Sequence, residues 1–220
     1  MNLKSSRGTS CARKVFAGVA VLSMAAAMWR FPLVRVSRLD SPDRAGVAVD
    51  FDAVAYAQAL WDDRLLTVIG EAPDAEAVLA ALRTSPAKAC SEFGRTVGVN
   101  RSCLYALQGR GTIVSVDRNS VGVSLTTASA PDVSISTGLI FGNAVRDAAG
   151  LVEASDFADS REFNALSEQL NRLVETRVIV EFKKHAAVGQ RIQFAGCAEV
   201  KRSWSADTPL AIIPVRIEID

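Results

Sequence analysis

Thr112–Leu125 reads TIVSVDRNSVGVSL, and its periodicity decides the fold. Thr112–Asp117 predicts a strand and Arg118-Asn119-Ser120 a turn. Val121, Val123 and Leu125 then alternate with Gly122 and Ser124, the period of two that marks a half-buried strand. Downstream, Val133 and Ile135 alternate with Ser134 and Ser136 in a third strand. A helix follows from about Ser160 to Glu175, with Asp159 and Glu162 as a D-x-x-E cap and Phe163, Leu166, Leu170 and Leu173 as its buried face. Arg191–Val200 and Leu210–Asp220 predict the last two strands, Pro214 marking an edge or a bulge, and Val178–Phe182 (VIVEF) predicts a short one before them. Three strands, a helix and two strands is the order of a small OB-like five-stranded Greek-key barrel. A helix-capped open sheet is the other arrangement with that order. The expected class is α+β.

Upstream of this block the period is helical. Val54, Ala57, Trp61, Leu65 and Val68 fall on one stripe, with Asp50 as the expected N-cap. A second helix is expected from Asp74 through Arg83. A third opens at Ser85-Pro86, a cap followed by proline at the first helical position, and stops at Gly94. The chain thus divides into residues 1–38, a targeting or anchor segment; 39–49, a linker; 50–95, a helical extension; and 103–220, the barrel domain.

The first segment holds the apolar block Val15–Trp29 (VFAGVAVLSMAAAMW), between Lys4, Arg7, Arg13 and Lys14 on one side and Arg30, Arg35 and Arg38 on the other. Extended to Val34 it reaches the length of a membrane span, about 20 residues. Ala25-Ala26-Ala27 also suits a cleaved signal peptide. The expectation is an uncleaved inner-membrane anchor with the body in the periplasm, cleavage being the alternative. Cys11 precedes the apolar block and is misplaced for lipidation.

Net charge is +1, but the first 44 residues hold eight basic and two acidic groups, net +6, and the rest hold 17 and 22, net −5. An acidic body is a poor partner for a phosphate backbone, so nucleic acid is not expected as a ligand. His185 is the single histidine, no G-x-S-x-G elbow exists, and no metal-ligand spacing or dinucleotide fingerprint is present: Gln108-Gly109-Arg110-Gly111 opens a strand rather than a helix. No catalytic residue, metal or cofactor is assigned. Cys90, Cys103 and Cys197 lie in the body. A Cys90–Cys103 disulfide suits an oxidising compartment, and buried free thiols are the other reading.

The polar-rich stretch Gly138–Asn171 supplies the candidate binding residues Asn143, Arg146, Asp147, Asp156 and Asn171. They suit a polar solute or a protein partner. The structural alternative is that Arg146 and Asp156 pair and brace the connection. A second functional reading is an envelope enzyme using the carboxylates of Asp147 and Asp156 as an acid–base pair.

Several ordered pieces carry a resemblance. They are Phe31-Pro32-Leu33; Phe51-Asp52-Ala53 with Tyr56 and Trp61-Asp62; Leu107–Gly111; Gly138–Ala148 (GLIFGNAVRDA); Asp156-Phe157; Leu170-Asn171; Val188–Gly196; and Ile213-Pro214-Val215. Together they resemble a bacterial family of predicted periplasmic lipoproteins of unknown function over about residues 31–220. The resemblance implies a membrane-tethered envelope protein with an OB-like domain, of a kind encoded beside sugar-type ABC transport systems, and no established catalytic residues. Together with the export signal and the lack of a catalytic constellation, it leads to the expectation of a non-enzymatic accessory protein serving a carbohydrate uptake system. The chain departs from that pattern at Leu139, where proline is usual, and at Ser160-Arg161, where an Asn-Gln pair is usual.

Overall fold

Asp52, rather than Asp50, starts the first helix: its Oδ1 accepts from the amides of Val54 and Ala55, both at 3.0 Å. Asp50 lies outside the residues that the computed structural model describes, 51–97, 102–201 and 203–220, which belong to one unit, Asp50–Asp220. Helix α1 (Ala53–Leu60) runs through a π-helical turn (Trp61–Leu65) into α2 (Leu66–Gly70). The i→i+5 bonding of that turn takes up an extra residue and rotates the buried face. Ala57, Trp61, Leu65 and Ile69 are buried, while Val54 and Val68, the ends of the expected stripe, are exposed. Helix α3 (Ala75–Thr84) is capped by Asp74, whose Oδ1 accepts from the Glu76 amide at 2.8 Å. Helix α4 (Pro86–Phe93) carries the Ser85 cap and Pro86 start legible in sequence, and it ends at Gly94.

The strands are β1 (Gly94–Thr96), β2 (Cys103–Val116), β3 (Ser120–Ser124), β4 (Val133–Ser136), β5 (Arg191–Val200) and β6 (Leu210–Ile219). Their order is β1-β2-β3-β4-β6-β5, and β5 returns to pair with β2 from Cys103↔Val200 to Thr112↔Arg191. Five strands therefore close into a barrel, with one parallel pair, β4–β6, and the helical crossover between β4 and β5. This is the OB arrangement, and the β2–β5 pairing leaves no open sheet. Strand β2 begins nine residues before Thr112, where the alternation starts, because its first half is buried on both faces. Tyr105 and Leu107 join the barrel interior and Leu104 joins a second core, so the run has no polar side to show. Pro214 sits opposite Gly196 beside a register shift at Ala195/Gly196; it marks a bulge in an internal strand.

Between β4 and β5 lie α5 (Ala144–Ala148), a 3₁₀ turn (Ala154–Asp156), α6 (Ser160–Leu173), a second π-helical turn (Val174–Ile179) and α7 (Val180–His185). VIVEF is thus helical and not a strand. Val174, Ile179 and Phe182 are buried at the spacing a π-widened helix gives, and that burial overrides the β preference of the valines and isoleucine. The barrel interior centres on Leu107, Ile113, Val123, Ile135, Ile192 and Phe194 and is extended by Val78, Leu79 and Leu82 of α3. The second core lies between α1, α5, α6 and the outer side of the barrel, on Leu104, Ala195, Cys197 and Val215. A disulfide joins Cys90 of α4 to Cys103 of β2, with Cα atoms 5.8 Å apart, and ties the helices to the first long strand.

Among the described residues no helix is long and apolar enough to cross a membrane. The apolar block Val15–Trp29, on which the anchor expectation rests, lies outside them.

Candidate functional site

The loop 138–143 is fastened to the flank of α6 at two points. The Ile140 amide donates to Glu175 Oε1 at 2.8 Å, and Asn171 Nδ2 donates to the Gly142 carbonyl at 3.0 Å. Gly142 has φ +88°, a conformation that L side chains rarely adopt, so glycine is what lets the loop turn into Asn143 at the head of α5. Between loop and helix is a cleft of about 590 Å³. Asn143, Asn164, Ser167, Glu168, Asn171 and Arg172 line it. Phe141, 78% exposed, also lines it, and Leu139, 74% exposed, stands two residues earlier in the same loop.

Ser167 is the residue that sets this cleft apart. It is 5% exposed, lines the cleft, and its hydroxyl has no hydrogen-bond partner among the described residues. Buried hydroxyls are normally satisfied, and an unmet one costs about 1–3 kcal/mol. A ligand polar atom in the cleft would meet it. Three side-chain amides nearby each offer donors and an acceptor.

Arg146 and Asp147 do not line this cleft. All five residues of α5 are buried, Arg146 being 4% exposed. Successive helix residues do not face each other, yet the long arginine folds back on its neighbour. Nε donates to Asp147 Oδ1 at 2.6 Å and Nη2 to Oδ2 at 3.0 Å. Nη1 donates to the Phe163 carbonyl at 2.9 Å, and the guanidinium lies 3.3 Å from the centre of the Phe163 ring. The pair bolts α5 to α6. Arg146 does not pair with Asp156, whose Oδ2 accepts from the Glu153 amide at 2.7 Å and closes the 3₁₀ turn. Neither carboxylate of the envisaged acid–base pair is free: Asp147 is held by Arg146, and Asp156 by its own turn.

The structure therefore gathers Asn143 and Asn171 of the five candidates into one cleft and gives Arg146, Asp147 and Asp156 bracing roles. Asn164, Ser167, Glu168, Arg172 and Glu175 were not singled out as a group by sequence reasoning. Their signal was present: with Asn171 they recur at helical spacing, one polar stripe beside the apolar stripe of Leu166, Leu170 and Leu173. At the N-terminus of α6, Asp159 Oδ1 accepts from the amides of Arg161 and Glu162, as a cap should. Glu162 departs from the capping-box pattern and accepts from the Ala158 amide at 3.0 Å. The Asp159 carboxyl lies below its ordinary value, chiefly because the Arg161 side chain donates to it.

His185 is exposed and pairs with Glu181 Oε1 at 3.0 Å. Glu181 is held below the usual carboxylate range by Lys184 and then by His185. Cys197 is fully buried, and desolvation pushes its thiol up to about 12. Among the described residues no group of three or more His, Cys, Asp or Glu side chains is placed to hold a metal ion.

No functionally curated protein matches the chain. A crystal structure of an OB-fold protein from Thermotoga maritima is similar over 77% of this chain and 99% of that one, with 29% identity and a TM-score of 0.69. The model of one family, described as predicted periplasmic lipoprotein (DUF2291), matches residues 22–218, and the chain belongs to that family.

Proposed function

We propose that this chain is a membrane-tethered, non-enzymatic binding protein of the periplasm, whose cleft between loop 138–143 and α6 takes a small polar solute on behalf of a carbohydrate ABC uptake system. Ser167 carries the reading: a buried residue of the cleft lining whose hydroxyl has no partner among the described residues, set among amides and charged groups beside Ile140 and Phe141. Hydroxyl-bearing solutes suit such a lining, since each amide both donates and accepts. The tether is the apolar block Val15–Val34.

A melting-temperature panel of neutral mono- and disaccharides tests the solute. The expected result is a rise with at least one member that Ser167→Leu abolishes by filling the cleft. A panel with no shift would count against the reading. A second reading, docking of a transporter subunit, is favoured by the exposed Leu139 and Phe141 at the same cleft. Affinity capture from detergent extract should then recover transporter subunits with the wild type and lose them with Phe141→Ser. Recovery of none would remove the docking reading.

A further inference from the structure

The largest of the described clefts, about 790 Å³, shares no lining residue with the cleft at Ser167 and has no part in the reading above. Its floor is Thr112 of β2. One wall is the loop after β3, with Thr126 and Ser129, and the other is the turn before β5. Arg110, Arg191 and Asp220 stand at its rim.

The register explains why two arginines meet here. Arg110 pairs with Gln193 and Thr112 with Arg191 across the antiparallel β2–β5 ladder. Residues i and i+2 of a strand share a face, as do direct cross-strand partners. Arg110, Thr112 and Arg191 therefore stand on one outward face, the two arginines as diagonal neighbours. Both are exposed, and among the described residues neither forms an ion pair. Arg64, Arg95, Arg118 and Arg172 also form no ion pair among the described residues, but Arg110 and Arg191 are the two that line one cleft.

The frame around the pair is rigid. Gly109 lies against Phe194: a Cβ there would sit 2.9 Å from the ring. The turn before β5 is bonded to β2 in both directions, Gly189 N to the Ile113 carbonyl at 2.8 Å and Ile113 N to the Gln190 carbonyl at 2.9 Å. In the opposite wall Ser124 Oγ donates to the Thr126 carbonyl at 3.1 Å, and the Ala128 amide donates to Thr126 Oγ1 at 3.2 Å.

We infer that this cleft is a second binding site, specific for a compact oxyanion, a phosphoryl or carboxylate group gripped by Arg110 and Arg191. Planar guanidinium forks match such oxygens in charge and geometry. Thr112 and Ser129 add hydroxyl donors. Asp220 is the opposing charge at the rim and weakens the hold. The body's net charge of −5 favours a small anion over a nucleic acid chain.

Calorimetric titration of the full chain in detergent, with inorganic phosphate in one arm and succinate in the other, tests the site. The account expects saturable binding in at least one arm, and which arm responds separates phosphoryl from carboxylate ligands. Arg110→Gln and Arg191→Gln should each weaken it about tenfold, and Asp220→Asn should tighten it, all with wild-type melting temperatures. Ser167→Leu should leave it unchanged, which separates this site from the saccharide cleft. No saturable binding in either arm up to about 10 mM, or binding indifferent to both arginine substitutions, would overturn the inference.

Discussion

Arg146 shows how much a single buried side chain can hold. Its guanidinium satisfies Asp147, the Phe163 carbonyl and the Phe163 ring at once. Arg146→Ala leaves the Asp147 carboxylate buried and unpaired, an expected loss of about 3–5 kcal/mol in denaturant unfolding. Arg146→Met with Asp147→Leu removes both charges and should recover much of that loss. A double variant as unstable as the single would show that the pair's geometry, rather than its charge, is what matters. Cys197 offers a quieter test. With its thiol pushed up to about 12 and fully buried, it should resist iodoacetamide at pH 8 in the native protein and react in guanidinium, read from the mass of its peptide. In sequence, Asn143 and Asn171 stood out as polar residues among apolar neighbours. The Arg146–Asp147 pairing did not, because adjacent helix positions diverge and only the fold-back of a long side chain joins them.

At the scale of elements, the stapled and capped segments make the sharpest claims. The Cys90–Cys103 bridge closes a loop with a sequence separation of 13, so Cys90→Ser should cost about 2–4 kcal/mol, seen as a lower denaturant midpoint. Helix α6 depends on Asp159, whose carboxyl lies below its ordinary value of 3.8. A depressed carboxyl contributes stability above its unfolded value and loses that contribution as pH falls through its folded value. The melting temperature should therefore drop as pH falls below 3.8, and less steeply in Asp159→Asn, which keeps a capping oxygen that does not titrate in this range. A parallel fall in both proteins would place the acid sensitivity elsewhere. The legible elements include β4, β6 and the capped helices α3, α4 and α6, each with one buried face, and β3 and β5, which are buried on both faces. In β3 the valines alternate with the small Gly122 and Ser124 and keep the period visible. In Cys103–Leu107 both faces are covered and the period vanishes, so the run carried no strand signal. The two π-helical turns are invisible to a fixed period, and they are why Val68 is exposed and VIVEF is helical.

For the whole molecule, the barrel is a frame for two clefts of different chemistry. One lies between loop 138–143 and α6, with three asparagines in its lining. The other holds Arg110 and Arg191 of the β2–β5 ladder, which form no ion pair among the described residues. The fold class was readable because strand order and helix position survive errors at element ends. The site was readable only in part, because a cleft is made where loop 138–143 meets helical residues that follow it by 29 positions at Gly142–Asn171 and by 35 at Ile140–Glu175, and such a meeting has no local signature. Native mass spectrometry of the full chain, isolated in detergent from its own cells, reads whether the Ser167 cleft holds a solute. A retained small-molecule mass is expected on the wild type and not on Ser167→Leu; identical spectra for the two proteins, with no added mass on either, would show that the cleft holds none.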